Sequence, residues 1–108
     1  MMEYSTAHEA AKFGDLTYLK EVARSKKKNL FAKDSNGWQP IHEAVRGGHL
    51  NVVKFLIKEG ANVDARTNAG RGGTPLYWAV KTHGESHIVS RYLKDHGAKN
   101  IGPDYKTG

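Results

Sequence analysis

The sequence repeats itself every 34 to 35 residues, and this repeat constrains the fold more than any other feature. The segment GWQPIHEAV at 37–45 is followed by GTPLYWAV at 73–80, and Pro40 and Pro75 are 35 positions apart. A weaker copy, AHEAAKFG at 7–14, aligns with IHEAVRGG at 41–48, 34 positions later. A period of roughly 20–50 residues is typical of units that cannot bury their apolar faces alone and that stack on their neighbours.

Each unit is predicted to contain two helices joined by a tight turn. Thr74 is a good N-cap and Pro75 suits the first helical position, where its missing N–H costs nothing. Glycines at 47–48 are expected to end a first helix and form the turn. The second helix of the middle unit is predicted from about Leu50 to Glu59, with apolar residues at helical spacing, and stops at Gly60.

These units resemble the ankyrin repeat, whose pattern combines an Asp- and Gly-containing turn, T-P-L-H-x-A, G-H-x-x-V-V-x-x-L-L and G-A. The middle unit follows this pattern almost completely, at Asp34, Gly37, Pro40–His42, Ala44, Gly48–His49, Val52–Val53, Phe55–Leu56 and Gly60–Ala61. The third unit matches with extra residues at Arg71–Gly72 and near His83, and the first unit matches only in its helices.

The resemblance implies an all-α fold, an ankyrin-repeat solenoid of three helix-turn-helix repeats with short hairpin-like loops. We expect one domain over residues 1–108, with repeats at about 2–33, 34–66 and 67–101 and a C-terminal tail at 102–108. It also implies a structural role for His42, whose imidazole would hydrogen-bond to the backbone of the adjacent turn.

Both ends of the array are expected to carry polar caps, because terminal repeats expose the faces that inner repeats bury. Glu21 in the first repeat takes the place of Phe55 in the middle repeat. Ser90 and Lys94 in the third repeat take the places of Val53 and Ile57. These substitutions predict a complete array of three repeats with a polar surface at each end, and the tail from Ile101 to Tyr105 is expected to pack over the last helix.

Composition favours an intracellular protein, cytoplasmic or nuclear, that acts as a monomer. The hydrophobic content of 38% and charged content of 26% are those of a globular chain. The absence of cysteine excludes disulfides and thiolate zinc sites and favours a reducing compartment. No apolar run reaches the length of a membrane span, and the N-terminus lacks the apolar region of a secretory signal. We therefore expect no membrane partner.

The sequence contains no complete catalytic, cofactor-binding or metal-binding set. The run His42-Glu43-Ala44-Val45-Arg46 begins like a zinc-protease motif but has arginine where the second histidine is needed. The glycines at 70–73 form neither a dinucleotide-binding fingerprint nor a phosphate-binding loop. His83 and His87 have the spacing of metal ligands, but no third ligand is evident. We therefore predict a binding module and not an enzyme, without a cofactor.

Members of the ankyrin family bind partner proteins through a concave face, which is formed by the turn tips and the exposed sides of the first helices. Carrying this face over by motif position predicts partner-binding residues here. They are Ser35, Asn36, Trp38, Arg46, Arg66, Asn68, Arg71, Trp78 and Lys81. Because several of them are cations, the expected partner is a protein with an acidic segment.

Trp38 is the most informative of these residues, since the family usually has a small or polar residue at that position. Tryptophan beside arginine is typical of interface anchors. The alternative is that Trp38 folds back onto the neighbouring turn. For Trp78, which follows Tyr77 on the first helix of the third repeat, binding and local packing are equally compatible with the sequence.

Two other functions remain open at this point. Residues 72–79 and 101–104 faintly resemble ankyrin segments of 2-oxoglutarate-dependent prolyl hydroxylases, so the chain could be an accessory domain of a larger enzyme. The iron-binding H-x-D of those enzymes does not occur in this chain. The net charge of +6 would also suit nucleic acid or another polyanion. The run Lys26–Lys28 is best explained as a solvated turn.

Overall fold

The computed structural model describes residues 4–104, and the repeat predicted from the sequence appears in it as three pairs of helices. The pairs are α1 (Ala7–Phe13) with α2 (Leu16–Ser25), α3 (Pro40–Gly47) with α4 (Leu50–Lys58), and α6 (Pro75–His83) with α7 (Ile88–Asp95). A 3-10 helix, Lys27–Phe31, follows the first pair, and a short turn, α5 (Thr67–Gly70), precedes the third. No strand occurs within the described residues.

The helix ends follow local chemistry that is visible in the sequence. The side chains of Thr6, Asp15 and Thr74 each accept a hydrogen bond from a backbone N–H in the first turn of the helix that follows. Gly48 ends α3 in the left-handed conformation, with φ of 74°, and its N–H bonds to the last free carbonyls of the helix. The tight helix-turn-helix unit is therefore set by N-caps and one glycine per repeat.

Small residues allow the first helices to lie close together. Ala10, Ala11, Ala44, Val45 and Ala79 are all buried, and α1 packs on α3 and α3 on α6 more extensively than α2 packs on α4 or α4 on α7. The stack is therefore tighter on the side of the first helices and more open on the side of the second helices.

The second helices supply the larger apolar side chains of the core. Leu19, Val53, Leu56, Val89 and Leu93 are fully buried and belong to one continuous core cluster that runs through all three repeats. Each buried side chain of this size contributes about 1.5–3 kcal/mol relative to exposure. No helix within residues 4–104 is long and apolar enough to cross a membrane.

The polar caps expected at the two ends are only partly correct. Glu21 and Lys94 are exposed, as predicted. Ser90 is wrong as an exposed cap, because it is fully buried and its hydroxyl donates to the carbonyl of Gly84 at 2.8 Å. The longer loop of the third repeat turns this carbonyl inward, so serine can be buried where the middle repeat has valine.

The C-terminal segment packs differently from expectation. Instead of covering the last helix, it runs beside the turn that precedes α6. The N–H of Thr74 donates to the carbonyl of Ile101 at 2.9 Å, and the N–H of Asp104 donates to the carbonyl of Arg71 at 2.8 Å. The buried hydroxyl of Thr74 also donates to the carbonyl of Lys99 at 2.6 Å. The predicted tail residues from Tyr105 to Gly108 lie outside the described part of the chain.

Candidate functional site

The candidate site is the concave face, defined as the turn tips 34–38 and 67–71 together with the exposed sides of α3 and α6. The first turn is built on Asp34, whose Oδ1 accepts hydrogen bonds from the N–H groups of Asn36 and Trp38, both at 2.9 Å. Gly37 has φ of 77°, and a Cβ there would come within 2.7 Å of the backbone nitrogen of Asn68. The turn therefore needs glycine both for its conformation and for contact with the next repeat.

The two turn tips are joined by a backbone hydrogen bond. The N–H of Asn68 donates to the carbonyl of Asn36 at 2.8 Å. Asn68 and Ala69 both adopt left-handed conformations, with φ of 49° and 54°, which non-glycine residues rarely do. The left-handed pair Asn68–Ala69 lies just before the extra residues of the third repeat, and it forms a turn that leaves Asn68, Ala69 and Arg71 exposed at the rim of the concave face.

Aromatic rings form the centre of this face. The rings of Trp38 and Trp78 lie 5.0 Å apart between centroids and are tilted by 41°, and Tyr77 contacts Trp78 edge-on at 5.0 Å. The guanidinium of Arg46 lies over the Trp38 ring, 4.6 Å from its centroid, which is a favourable cation–π geometry. Trp38 therefore packs on a neighbouring repeat and still borders the concave face, since both tryptophans are only partly buried.

The indole N–H of Trp78 is buried and makes no hydrogen bond to the described residues. A Cβ at Gly73 would lie 2.9 Å from this nitrogen and 2.4 Å from the Tyr77 ring. Glycine at position 73 therefore allows the two aromatic side chains to pack against the backbone of the preceding turn.

The cations of the concave face differ in how far they are already paired. Arg46 bonds to Glu43 at 2.7 Å, with 48% of the arginine side chain still exposed. Arg71 and Lys81 are exposed and form no ion pair with the described residues, although the Lys81 ammonium lies 5.9 Å from the Tyr77 ring. These two side chains carry the unneutralised positive charge of the face.

Arg66 holds the C-terminal segment in place. Its guanidinium donates to the carbonyl of Gly72 at 2.8 Å, to the carbonyl of Gly102 at 3.2 Å and to the carboxylate of Asp104 at 2.8 Å. Only 25% of the side chain is exposed. Arg66 therefore holds the C-terminal segment, whereas Trp38 contacts both Trp78 and Arg46.

Ser35 and Asn36 are exposed at the first turn tip. His8 also contributes to this region and was not among the predicted site residues. Its Nε2–H donates to the carbonyl of Trp38 at 2.7 Å, so α1 helps to position the first turn. The signal was present, because His8 lies 34 positions before His42 in the repeat.

The structural role implied for His42 is confirmed. Its Nε2–H donates to the carbonyl of Ala65 at 2.7 Å, and its Nδ1 accepts from the N–H of Gln39 at 2.9 Å. Burial lowers the pKa of His42 below its ordinary value of 6.5, while the hydrogen bond to Ala65 and the nearby Asp34 act in the opposite direction. Both bonds require the neutral ring, so His42 acts as a link between repeats.

His83 and His87 have rings stacked at 4.3 Å between centroids. The Nε2–H of His83 donates to the carbonyls of Val45 and Arg46, each at 3.0 Å, and the Nδ1 of His87 accepts from the N–H of Val89. Within residues 4–104, no three His, Cys, Asp or Glu side chains lie together in a way that could hold a metal ion.

Comparisons with known proteins give one consistent assignment. Residues 7–105 match the family described as ankyrin repeats (3 copies). Protein phosphatase 1 regulatory subunit 27 of Homo sapiens is 34% identical over 106 residues, which cover 86% of this chain and 66% of that protein. An ankyrin repeat-containing protein of Schizosaccharomyces pombe is 35% identical over 69 residues, covering 64% of this chain and 32% of that protein. This chain thus spans less than two thirds of one relative and just under two thirds of the other.

Among solved structures, a chain in the complex of Bd0816, a predatory endopeptidase from Bdellovibrio bacteriovorus, with the immunity protein Bd3460 matches with a TM-score of 0.76. It is 31% identical, and the match covers 95% of this chain and 53% of that chain.

Proposed function

Because this chain belongs to the ankyrin repeat family, whose repeats are protein–protein interaction modules, we propose that it binds a partner protein through its concave face. We propose further that it takes no part in catalysis and that the partner presents an acidic segment. The relative named as a regulatory subunit of protein phosphatase 1 supports a non-catalytic role, because such a subunit works through another protein.

The observation that carries the proposal is the contact of Trp38, Trp78 and Arg46 across two repeats. The two rings lie 5.0 Å apart and the guanidinium lies 4.6 Å from the Trp38 ring. Tryptophan and arginine are the residues most often found at the energetic centres of protein interfaces. Here packing has already restrained them, so binding a partner would order few additional side chains and would cost little conformational entropy.

The acidic character of the partner is supported by the charges at the rim. Arg71 and Lys81 are exposed and have no carboxylate partner among the described residues, and the outer edge of Arg46 remains accessible beside Glu43. Partner carboxylates placed beside Arg71, before α6, and beside Lys81, in its last turn, would complement them. Such rim charges mainly increase the association rate and its dependence on salt.

An affinity experiment with the full chain tests this function. Tagged wild type, Trp38→Ala/Arg46→Ala and a control, Lys28→Ala/Lys99→Ala, are used to capture proteins from a nuclease-treated lysate. The captured proteins are purified and then titrated. The control removes two exposed cations away from the concave face. We expect the control to retain its partner and the concave-face variant to bind at least about tenfold more weakly, about 1.4 kcal/mol.

A thermal melt of each variant verifies that it is folded. Equal recovery of the same partner by wild type and by the folded Trp38→Ala/Arg46→Ala variant would show that the concave face is not the binding site. Tight binding to an oligonucleotide with a steep dependence on salt, without any captured protein, would instead favour a nucleic-acid partner.

A further inference from the structure

A second surface lies on the opposite side of the array, on the exposed sides of α2, α4 and α7, which we call the outer face. Lys20, Lys54 and Arg91 occupy the same position in the second helix of successive repeats. All three are exposed, and none forms an ion pair with the described residues. The Lys54 ammonium lies 5.4 Å from the centroid of the Tyr92 ring. The repeat therefore places one cation without a carboxylate partner on each of three neighbouring helices.

Few carboxylates oppose this row. Glu21 on α2 is paired with Arg24, and Glu85 lies 4.0 Å from Lys94. Lys58 on α4 is exposed and adds a further unpaired cation. Asp95, at the end of α7, is the carboxylate that remains beside the row. The outer face thus has four cations without an ion pair among residues 4–104, whereas the concave face has two, Arg71 and Lys81.

A groove with both apolar and charged walls lies within this basic surface, between α4 and α7, with a volume of about 280 Å³. It is open because these second helices pack loosely on each other. Ile88 at its edge is 58% exposed, although the equivalent positions in the other repeats are Thr17 and Asn51. The groove is lined by Leu50, Ile88 and Tyr92, with Lys54 and Arg91 at its sides and Asp95 at one end.

We propose that this outer groove binds an acidic amphipathic helix of a partner protein. Helices packed side by side are about 8–10 Å apart, so the row of cations has roughly this spacing. A helix rises about 1.5 Å per residue, so carboxylates seven residues apart lie on one face about 10 Å from each other. A helix crossing the second helices would therefore place successive carboxylates against Lys20, Lys54 and Arg91, and an aliphatic side chain between them in the groove.

The groove selects this occupant over other anionic partners. Nucleic acid would pair with the cations but offers no aliphatic group for the space beside Leu50 and Ile88. A bilayer would contact the protruding cations and leave the space between α4 and α7 unfilled. An amphipathic helix meets both requirements, since its apolar stripe lies between its charged positions.

A synthetic helix provides the probe. It is a labelled, alanine-rich peptide with three Glu residues spaced seven positions apart. Leu residues stand three and four positions after the first Glu and again after the second Glu. Binding of this peptide to the full chain is followed by fluorescence anisotropy. We expect saturable binding by the wild type and a loss of at least about tenfold in Lys54→Glu/Arg91→Glu, because like charges then face the peptide. Ile88→Asn, which installs the residue found at Asn51, should weaken binding about threefold or more.

The matched control is Lys33→Glu/Lys99→Glu, which changes the net charge equally at exposed positions away from the outer face. It should bind the peptide like the wild type, and so should Trp38→Ala, so that failure of this proposal is distinguishable from failure of the concave-face assignment. The proposal is overturned if the wild type does not bind the peptide at about 1 mM, or if the control and Lys54→Glu/Arg91→Glu lose binding equally. It is also overturned if polyuridylate or phosphatidylserine vesicles bind to the outer face and the peptide does not.

Discussion

Replacement of His42 by leucine tests whether a buried imidazole links the middle repeat to the next turn. Leucine has a similar size but can neither accept from the N–H of Gln39 nor donate to the carbonyl of Ala65. Both residues are buried, at 7% and 6% exposure, so neither backbone group gains full access to water. An unsatisfied buried group costs about 1–3 kcal/mol, so we expect His42→Leu to lower the free energy of unfolding by about 2–5 kcal/mol.

The assay is urea denaturation followed by circular dichroism, with His8→Leu as the matched control. His8 is partly buried and makes one hydrogen bond to the carbonyl of Trp38, at 2.7 Å, so its loss should cost only about 0.5–1.5 kcal/mol. In a domain of this size each 1 kcal/mol shifts Tm by about 4–8 °C, so the two variants should be clearly separated. The reasoning is refuted if His42→Leu costs no more than His8→Leu.

The same side chain should make stability depend on pH. Because burial lowers the pKa of folded His42 below 6.5, the unfolded chain takes up a proton first as the pH falls. The stabilisation is therefore complete above pH 6.5 and is lost as the pH falls from there through the folded pKa. The slope contributed by one such group is at most about 1.4 kcal/mol per pH unit. His42→Leu should have a flatter stability profile below pH 6.5 than wild type, and identical slopes would contradict this assignment.

Three further changes test how the third repeat is held. Thr74→Val removes the N-cap of α6 and the hydrogen bonds to the backbone of Lys99 and Ile101, and it should lower the free energy of unfolding by about 1–3 kcal/mol in urea titrations. An unchanged value would contradict a stabilising role for this side chain. Gly72→Ala should lower the free energy of unfolding by a similar amount, because the added Cβ would lie 2.9 Å from backbone atoms of Thr67. An unchanged melting temperature would show that no such clash occurs. Arg66→Lys should speed amide exchange in residues 101–104 about tenfold or more, since an ammonium cannot reproduce the planar fork of hydrogen bonds, and unchanged protection would exclude this clamp.

The parts of the fold that the sequence predicted depend on local chemistry repeated in register. Thr74 and Pro75 start α6 because threonine caps the first free N–H groups and proline fits the first helical position. Gly48 ends α3 because the left-handed conformation there favours glycine. The role of His42 was implied by the resemblance to the ankyrin family, and its partner is the backbone of the adjacent turn, at Ala65. Each of these features depends only on residues close in sequence or in the adjacent repeat, and the position of both is given by the repeat spacing.

The parts that could not be predicted depend on contacts between distant residues in irregular segments. Arg66 meets Asp104 across 38 positions, and no repeat relates them. Ser90 was misassigned because its burial depends on the Gly84 carbonyl, which the longer loop of the third repeat turns inward. The left-handed pair at Asn68 and Ala69 lies just before the extra residues at 71–72, for which the other repeats offer no template.

The distribution of charge distinguishes the two proposed surfaces in a way that the net charge of +6 does not. On the concave face, Arg46 is paired with Glu43 and Arg66 with Asp104. Only Arg71 and Lys81 stand without an ion pair there among the described residues, so contact with the aromatic rings would carry a larger share of the binding. On the outer face, the row of Lys20, Lys54 and Arg91 has no ion pairs among residues 4–104. Since added salt screens exposed charges but affects apolar contact little, binding at the outer face should weaken more steeply with ionic strength than binding at the concave face. Equal salt dependence at the two surfaces would mean that the pairing of the concave arginines does not control how that face binds.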